Sequence, residues 1–206
     1  MTLWAIVPVK PLKRGKSRLS EILSVTERAE LNRRMLENTL RTLNSIQEID
    51  TVLVVSKDTE ALSIARELSA RTVLEDGNPE LNTALQRAKM VAKAYYVNEI
   101  IILPADLPLI TPEIIRNLLS YASEPPQMII APDNRKDGTN ALYINPVDLI
   151  DFHYGPGSYS IHMEAAEKAN ARIKIIENEE LGLDLDLPED LNRYQEILKS
   201  RILMSS

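Results

Sequence analysis

Cysteine is absent from the 206-residue chain. A protein without cysteine forms no disulfide and uses no thiolate as a nucleophile. This absence fits a reducing compartment, and we expect a cytoplasmic protein. The chain has two histidines, His153 and His162, which show no metal-ligand spacing. We therefore interpret both histidines as structural or solvent-exposed residues.

An excess of positive charge is also absent, because the formal net charge is −6 at pH 7. Proteins that bind nucleic acids or membrane surfaces are usually basic, so we expect neither kind of partner. No apolar run approaches the roughly 20 residues that a membrane-spanning helix requires. The apolar run Leu3–Val9 is short and contains Pro8. We expect it to form a strand rather than a signal peptide.

The Walker A spacing of glycines, lysine and serine is missing as well. In its place, a basic loop with five cations follows the first predicted strand, between Lys10 and Arg18. Loops at such a position bind phosphates through backbone N–H groups and through lysine or arginine. Lys10, Lys16 and Arg18 fit phosphate binding best. Lys13 and Arg14 fit the alternative, which is an exposed basic turn.

Strand and helix patterns alternate along most of the chain, which predicts an α/β fold with a mostly parallel central sheet and helices on both faces. Ser24 and Glu27 have the spacing of a capping box, and Thr111 precedes Pro112 at a second helix start. A turn is predicted at Asp76–Pro79. The chain length suits one domain covering residues 1–206. The predicted strands are Leu3–Val9, Thr51–Ser56, Arg71–Leu74, the run from Ile100, Met128–Ala131, Ala141–Ile144 and Arg172–Glu177.

A β-branched run begins at Ile100 and leads to Asp106, which lies between two prolines. Such a run predicts a buried central strand, and Asp106 then lies just beyond its carboxyl end. Ligands of open α/β sheets bind at that end, where a carboxylate can hold a hard cation such as Mg²⁺. The alternative is that Asp106 caps the helix beginning near Thr111.

Two further acidic residues, Asp184 and Asp186, lie within the alternating segment Leu181–Leu187. On a strand, residues two apart point to the same face, so these carboxylates would lie side by side. Together with Asp106 they make a plausible site for two Mg²⁺ ions in phosphoryl or nucleotidyl transfer. The alternative is the solvated face of an edge strand.

Two glycine-containing loops, Asp137–Asn140 and Gly155–Ser158, also carry hydroxyl side chains. Glycine allows a backbone to approach a ligand closely, and Thr139 and Ser158 can donate hydrogen bonds to a phosphate or carboxylate. Ordinary turns have the same composition. Asn82 is a candidate contact for a base or ribose, and a polar contact at a helix start is the alternative.

Taken together, these motifs resemble the CofC family, the 2-phospho-L-lactate (or phosphoenolpyruvate) guanylyltransferases of coenzyme F420 biosynthesis. They occur in the family's order and span nearly the whole chain. The matching segments are Pro8–Leu12, Lys16–Leu19, Leu81–Asn82, Asp106–Leu109, Asp137–Leu142, Gly155–Ser158 and Asp184–Asp190.

The resemblance implies a glycosyltransferase-A-like nucleotidyltransferase fold, GTP as donor, Mg²⁺ as cofactor, a short phospho-acid as acceptor, and a homodimer. It implies that Asp106, Asp184 and Asp186 are metal ligands. The acceptor-binding positions that it implies are Thr139, Gly155 and Ser158.

For the nucleotide, we predict contacts from Pro8, Val9, Lys10, Lys16, Ser17, Arg18, Asn82 and Asp106. Of these residues, we predict catalytic roles for Lys16, Arg18 and Asp106. The segment Pro8–Arg18 departs from the glycine-rich loop of the wider superfamily. The alternatives are a related sugar-phosphate or molybdenum-cofactor nucleotidyltransferase, and a nucleotide-binding module without catalytic activity.

Overall fold

A seven-stranded sheet forms the centre of the computed structural model, which describes residues 2–75 and 80–204. The turn predicted at Asp76–Pro79 lies outside the described residues. The strands are β1 (Leu3–Pro8), β2 (Thr51–Ser56), β3 (Arg71–Leu74), β4 (Glu99–Ile102), β5 (Gln127–Pro132), β6 (Thr139–Asn145) and β7 (Arg172–Ile175). Their order across the sheet is β3-β2-β1-β4-β6-β5-β7. Among the described strands, only β6 runs antiparallel to both of its neighbours, which confirms the mostly parallel sheet.

Helices cover both faces of this sheet, as the alternating pattern predicts. One face carries α1, α2 and α4, whose apolar residues pack with Ala5, Val54 and Ile101 of the strands. The other face carries α3 and α5, which pack with Ile6 and Ile102. The helices are α1 (Val25–Asn44), α2 (Thr59–Glu67), α3 (Leu81–Ala94), α4 (Pro112–Leu119), α5 (Ser158–Lys168) and α6 (Pro188–Met204). None of the helices in the described part of the chain is long and apolar enough to cross a membrane.

The helix-start signals in the sequence act as expected. Ser24 forms a reciprocal capping box with Glu27 at the start of α1. The side chain of Thr111 accepts a hydrogen bond from a backbone N–H of α4, and Pro112 begins that helix. These caps satisfy N–H groups that have no partner within their own helix, which fixes where each helix begins.

The prediction that Leu181–Leu187 forms a strand is wrong. The segment is irregular and makes no ladder with the sheet. Its alternation is nevertheless real, since Leu181, Leu183 and Leu185 are buried while Asp184 and Asp186 are partly exposed. The period-two pattern therefore recorded alternating burial of an extended segment rather than strand pairing.

The strand order switches sides at β1. The connections from β1 lead outward through β2 to β3, and the chain then crosses over to β4 on the other side of β1. Such a switch point leaves a crevice beyond the carboxyl ends of the two central strands. The loops after β1 and β4 border this crevice, and they carry the sequence motifs described above.

Candidate active site

A cleft of about 540 Å³ lies beyond the carboxyl ends of the central strands. Its walls come from segments that are far apart in the sequence. The lining residues after β1, β2 and β4 include Pro8–Leu12, Arg14–Lys16, Lys57 and Pro104–Asp106. The lining residues from the second half of the chain include Asp133, Gly138–Asn140, Tyr154, Gly155, Ser158, Asp184 and Asp186.

The N-terminal loop, residues 9–19, is fixed by hydrogen bonds to its backbone. The N–H of Val9 donates to the carbonyl of Val55 at 2.9 Å, which extends the pairing of β1 with β2. The N–H of Leu12 donates to the Asp58 carboxylate at 2.8 Å, and the Leu12 carbonyl accepts from the Asn32 amide at 2.7 Å. The loop is thus anchored to β2 and to the helices around it.

Lys16 links the N-terminal loop to the acidic segment. Its backbone is left-handed (φ 57°), and its side chain is 4% exposed. The ammonium group donates to the carbonyl of Leu185 and lies 3.8 Å from the Asp186 carboxylate. A non-glycine residue in this conformation is held there by its surroundings, which is common at functional sites.

The carboxylates of the cleft repel one another. Asp184 is largely buried, and the pKa of its carboxyl is raised to about 6, first by burial and then by the negative charges of Asp106 and Asp186. The guanidinium of Arg135 lies 3.9 Å from Asp184, although its short contact of 2.5 Å is with Asp190. Negative charge is therefore incompletely compensated around Asp184, which lies within the electrostatic influence of Asp106 and Asp186.

This uncompensated charge fits a divalent cation, and carboxylate oxygens are the donors that Mg²⁺ prefers. Asp106 and Asp184 have the right chemistry to hold one. Across residues 2–75 and 80–204, however, no three histidine, cysteine or acidic side chains are arranged as a metal-binding group. Asp186 lines the cleft but faces Lys16. The metal role of the three carboxylates remains a prediction.

The two glycine-containing loops meet at the opposite wall. The Ser158 hydroxyl donates to Thr139 at 3.3 Å, and Thr139 lies 3.0 Å from Nδ1 of the buried His162. Ser158 is the first residue of α5 and follows Gly157, whose φ of 72° favours glycine. Gly155 lines the cleft beside them. A helix N-terminus with two hydroxyls is suited to binding an anion.

Three residues predicted to bind the nucleotide lie outside the cleft lining. Ser17 and Arg18 are exposed in the short helical turn Ser17–Leu19. Asn82 uses its side-chain amide on the backbone of Tyr154, donating at 3.0 Å and accepting at 2.6 Å. This contact fits the alternative of a polar contact at a helix start, and the nucleotide contact of Asn82 stays a prediction. Pro8, Val9, Lys10 and Lys16 do line the cleft.

Several cleft residues were missed by the sequence analysis. Arg14 is exposed in a turn, as expected, but it also lines the cleft, whereas Lys13 does not. Lys57 and Asp133 follow the carboxyl ends of β2 and β5, and this position was the signal that could have revealed them. Asn140 also lines the cleft, and its amide donates to the carbonyl of Leu181 at 3.1 Å.

Solved structures share the fold. The chain superposes on a nucleotidyl transferase from Methanothermobacter with a TM-score of 0.65 and 17% sequence identity, covering 97% of this chain and 99% of that one. Identity this low establishes the architecture alone. The fold is the glycosyltransferase-A-like nucleotidyltransferase fold that the sequence analysis expected.

Sequence relatives are much closer. The chain is 39% identical over 195 residues to the phosphoenolpyruvate guanylyltransferase of Rubrobacter xylanophilus, covering 95% of this chain and 94% of the relative. It is 38% identical over 187 residues to the 2-phospho-L-lactate guanylyltransferase of Methanocaldococcus jannaschii, covering 90% of this chain and 79% of the relative. The model of a family described as guanylyl transferase, CofC like, matches residues 3–198. The chain therefore belongs to the CofC-like guanylyl transferase family.

Proposed function

We propose that the protein transfers GMP from GTP to a three-carbon phospho-acid, 2-phospho-L-lactate or phosphoenolpyruvate, in coenzyme F420 biosynthesis. Membership of the guanylyl transferase family supports the reaction class. The two relatives described above are named for different acceptors, so they support the pair of acceptors rather than one of them.

One observation carries the proposal. A single cleft joins a cationic loop, a cluster of carboxylates and a pair of hydroxyls at a helix N-terminus. Cations suit the triphosphate of a nucleotide, and the hydroxyls suit an anionic acceptor. Two anionic substrates must meet for this reaction. The cations of the loop lower the repulsion between them, and the carboxylates would do so by holding a divalent cation.

In the proposed reaction, a phosphate oxygen of the acceptor attacks the α-phosphorus of GTP. A new P–O bond forms, the bond between the α-phosphorus and the α,β-bridging oxygen breaks, and pyrophosphate leaves with the electron pair. The acceptor phosphate is largely ionised at neutral pH, so no general base is needed. We propose that Lys10 lies near the α-phosphate and that Lys16 stabilises the departing pyrophosphate. Arg18 is proposed for the same role, although it would have to approach from outside the cleft lining.

We propose Mg²⁺ as the cofactor, held by Asp106 and Asp184 with Asp186 as a third candidate ligand. When bound, Mg²⁺ neutralises phosphate charge and orients the reacting groups. The pKa of Asp184 is raised first by burial and then by the charges of Asp106 and Asp186, and this supports the proposal because a buried carboxylate among other carboxylates needs a nearby cation to stay ionised. Titration of the protein with Mg²⁺ should lower this pKa, and an unchanged Asp184 pKa would contradict the assignment.

The deciding experiment measures pyrophosphate release with GTP and Mg²⁺, offering 2-phospho-L-lactate and phosphoenolpyruvate in separate reactions. ATP in place of GTP is the matched control for the base. Release that requires GTP and one of the acceptors would support the proposal and identify the acceptor. Tight GTP binding without release would favour the nucleotide-binding module.

We also propose that the protein is a cytoplasmic homodimer, as the resemblance implies. Light scattering after size exclusion tests the dimer, and a mass of about 23.2 kDa, that of one chain, would contradict it. Fractionation of source cells tests the location.

A further inference from the structure

The two glycine-containing loops, with Thr139 and Ser158, form the proposed acceptor wall of the cleft. This wall contains a buried chain of hydrogen bonds that reaches beyond the residues proposed to contact the acceptor. Its members are the backbone of His153, the imidazole of His162, and the hydroxyls of Thr139 and Ser158. His162 has no exposed surface, Ser158 is 1% exposed and Thr139 is 5% exposed. Only the two hydroxyl residues line the cleft.

The backbone of His153 determines which nitrogen of His162 carries the proton. The N–H of His153 donates to Nε2 of His162 at 3.1 Å, so Nε2 must be an unprotonated acceptor. A neutral imidazole then carries its proton on Nδ1. Burial lowers the pKa of His162 to about 4, with a smaller contribution from His153, so the ring is neutral at physiological pH.

The proton on Nδ1 limits what the hydroxyls can do. Nδ1 lies 3.0 Å from the Thr139 hydroxyl, which must accept this hydrogen bond. The hydroxyls of Thr139 and Ser158 are 3.3 Å apart and share one further bond. The ring and the two hydroxyls together hold three protons, and these two bonds use two of them. One hydroxyl proton is therefore left to point into the cleft.

We propose that His162 is a positioning residue that makes the Thr139–Ser158 hydroxyl pair a net hydrogen-bond donor to an anionic oxygen of the acceptor. With the opposite tautomer, Thr139 would donate to the ring and Ser158 to Thr139. The pair would then present only lone pairs to the cleft and would repel an anion. This inference rests on the proposed function for its substrate, whereas the tautomer does not depend on any substrate.

The first test is spectroscopic and uses the wild-type protein. Long-range proton–nitrogen correlation spectra of the labelled protein report which imidazole nitrogen carries hydrogen. The exposed side chain of His153 gives the second set of signals, and His153→Ala assigns them while keeping the backbone N–H. We expect His162 to be the Nδ1–H tautomer near neutral pH. The Nε2–H tautomer would overturn the inference.

The second test is kinetic and compares the KM for the acceptor with the KM for GTP. His162→Ala should raise the acceptor KM about tenfold and change the GTP KM less than about twofold, as expected for one lost hydrogen bond to a charged group. His162→Asn keeps an N–H near the position of Nδ1 and should recover most of the loss. An equal effect on both substrates, or no recovery with asparagine, would contradict the positioning role.

A double-mutant cycle with Thr139→Val makes the test specific. If His162 acts through the Thr139 hydroxyl, the double variant with His162→Ala and Thr139→Val should have the same acceptor KM as Thr139→Val alone. Additive effects would overturn the inference. Absence of turnover in the wild-type protein, together with the Nδ1–H tautomer, would count against the proposed function alone. The spectroscopic test needs no His162 variant, so it decides even if His162→Ala does not fold.

Discussion

The two walls of the cleft are built in different ways. The N-terminal loop is one continuous segment that carries positive charge and is anchored by its backbone to β2 and to the side chains of Asn32 and Asp58. The opposite wall is assembled from several distant segments, and it carries carboxylates and hydroxyls. A continuous motif can be identified in a sequence because its parts keep a fixed spacing. A wall assembled from distant segments depends on the fold to bring its residues together.

The largest expected effect on turnover comes from replacing a carboxylate of the cleft. Asp106→Asn should leave the fold intact and reduce turnover on the order of a hundredfold or more, because it removes a main electrostatic stabiliser. Asp148→Asn is the matched control, since Asp148 forms a surface pair with Lys93 at 2.8 Å. Steady-state pyrophosphate release measures the effect, with circular dichroism to check folding. Near-normal turnover of Asp106→Asn would remove Asp106 from the catalytic machinery.

The second effect concerns His162, behind the hydroxyls of Thr139 and Ser158, and the pH dependence of the free energy of unfolding. The pKa of His162 is lowered to about 4 in the folded protein, so the unfolded chain binds more protons between about pH 4 and pH 6.5. Stability contributed by the neutral ring is present above about pH 6.5 and is lost as the pH falls. By about pH 5, the free energy of unfolding should drop by about 2 kcal/mol.

Urea denaturation at a series of pH values measures this loss. His162→Asn cannot titrate and should lack this part of the pH dependence, while the contributions of the carboxylates remain in both proteins. Parallel pH profiles for the two proteins would mean that His162 does not have the lowered pKa.

The third effect concerns Lys16, which links the N-terminal loop to Leu185 and Asp186 on the opposite wall. Lys16→Ala should lower kcat/KM for GTP about tenfold, because the ammonium held at Leu185 and Asp186 would no longer stabilise the departing pyrophosphate. Lys13→Ala is the matched control from the same loop, since Lys13 is exposed and lies outside the cleft lining. Equal effects of the two substitutions would show that the loop acts only through its net charge.

The smallest effect separates two interpretations of Asn82. Because its amide binds the backbone of Tyr154 in both directions, Asn82→Ala should raise the acceptor KM about fivefold and leave the GTP KM unchanged. Gln86→Ala is the control one turn further along α3, where the side chain contacts Asp151. A rise confined to the GTP KM would instead support the nucleotide contact predicted from the sequence.

The sequence by itself determined the fold class and most element boundaries. Local signals carry this information, as at Ser24 and Thr111, where a capping side chain marks the start of a helix. The basic loop and Asp106 were also recognisable, because both lie shortly beyond the end of a buried strand. Arg14 lies in the expected exposed turn, but its place in the cleft lining was not predicted, since sequence spacing does not tell which cations of a loop turn toward a cleft.

Only the tertiary structure decided which residues meet. Asp184 and Asp186 alternate with buried leucines, but the segment is held by contacts such as the one between the N–H of Leu185 and the carbonyl of Asp106 at 3.1 Å rather than by strand pairing. Whether the Thr139 hydroxyl donates or accepts its hydrogen bond with the ring depends on the tautomer of His162, which is 23 residues away. Such pairings arise from the packing of distant segments, and residue spacing along the chain carries no information about them.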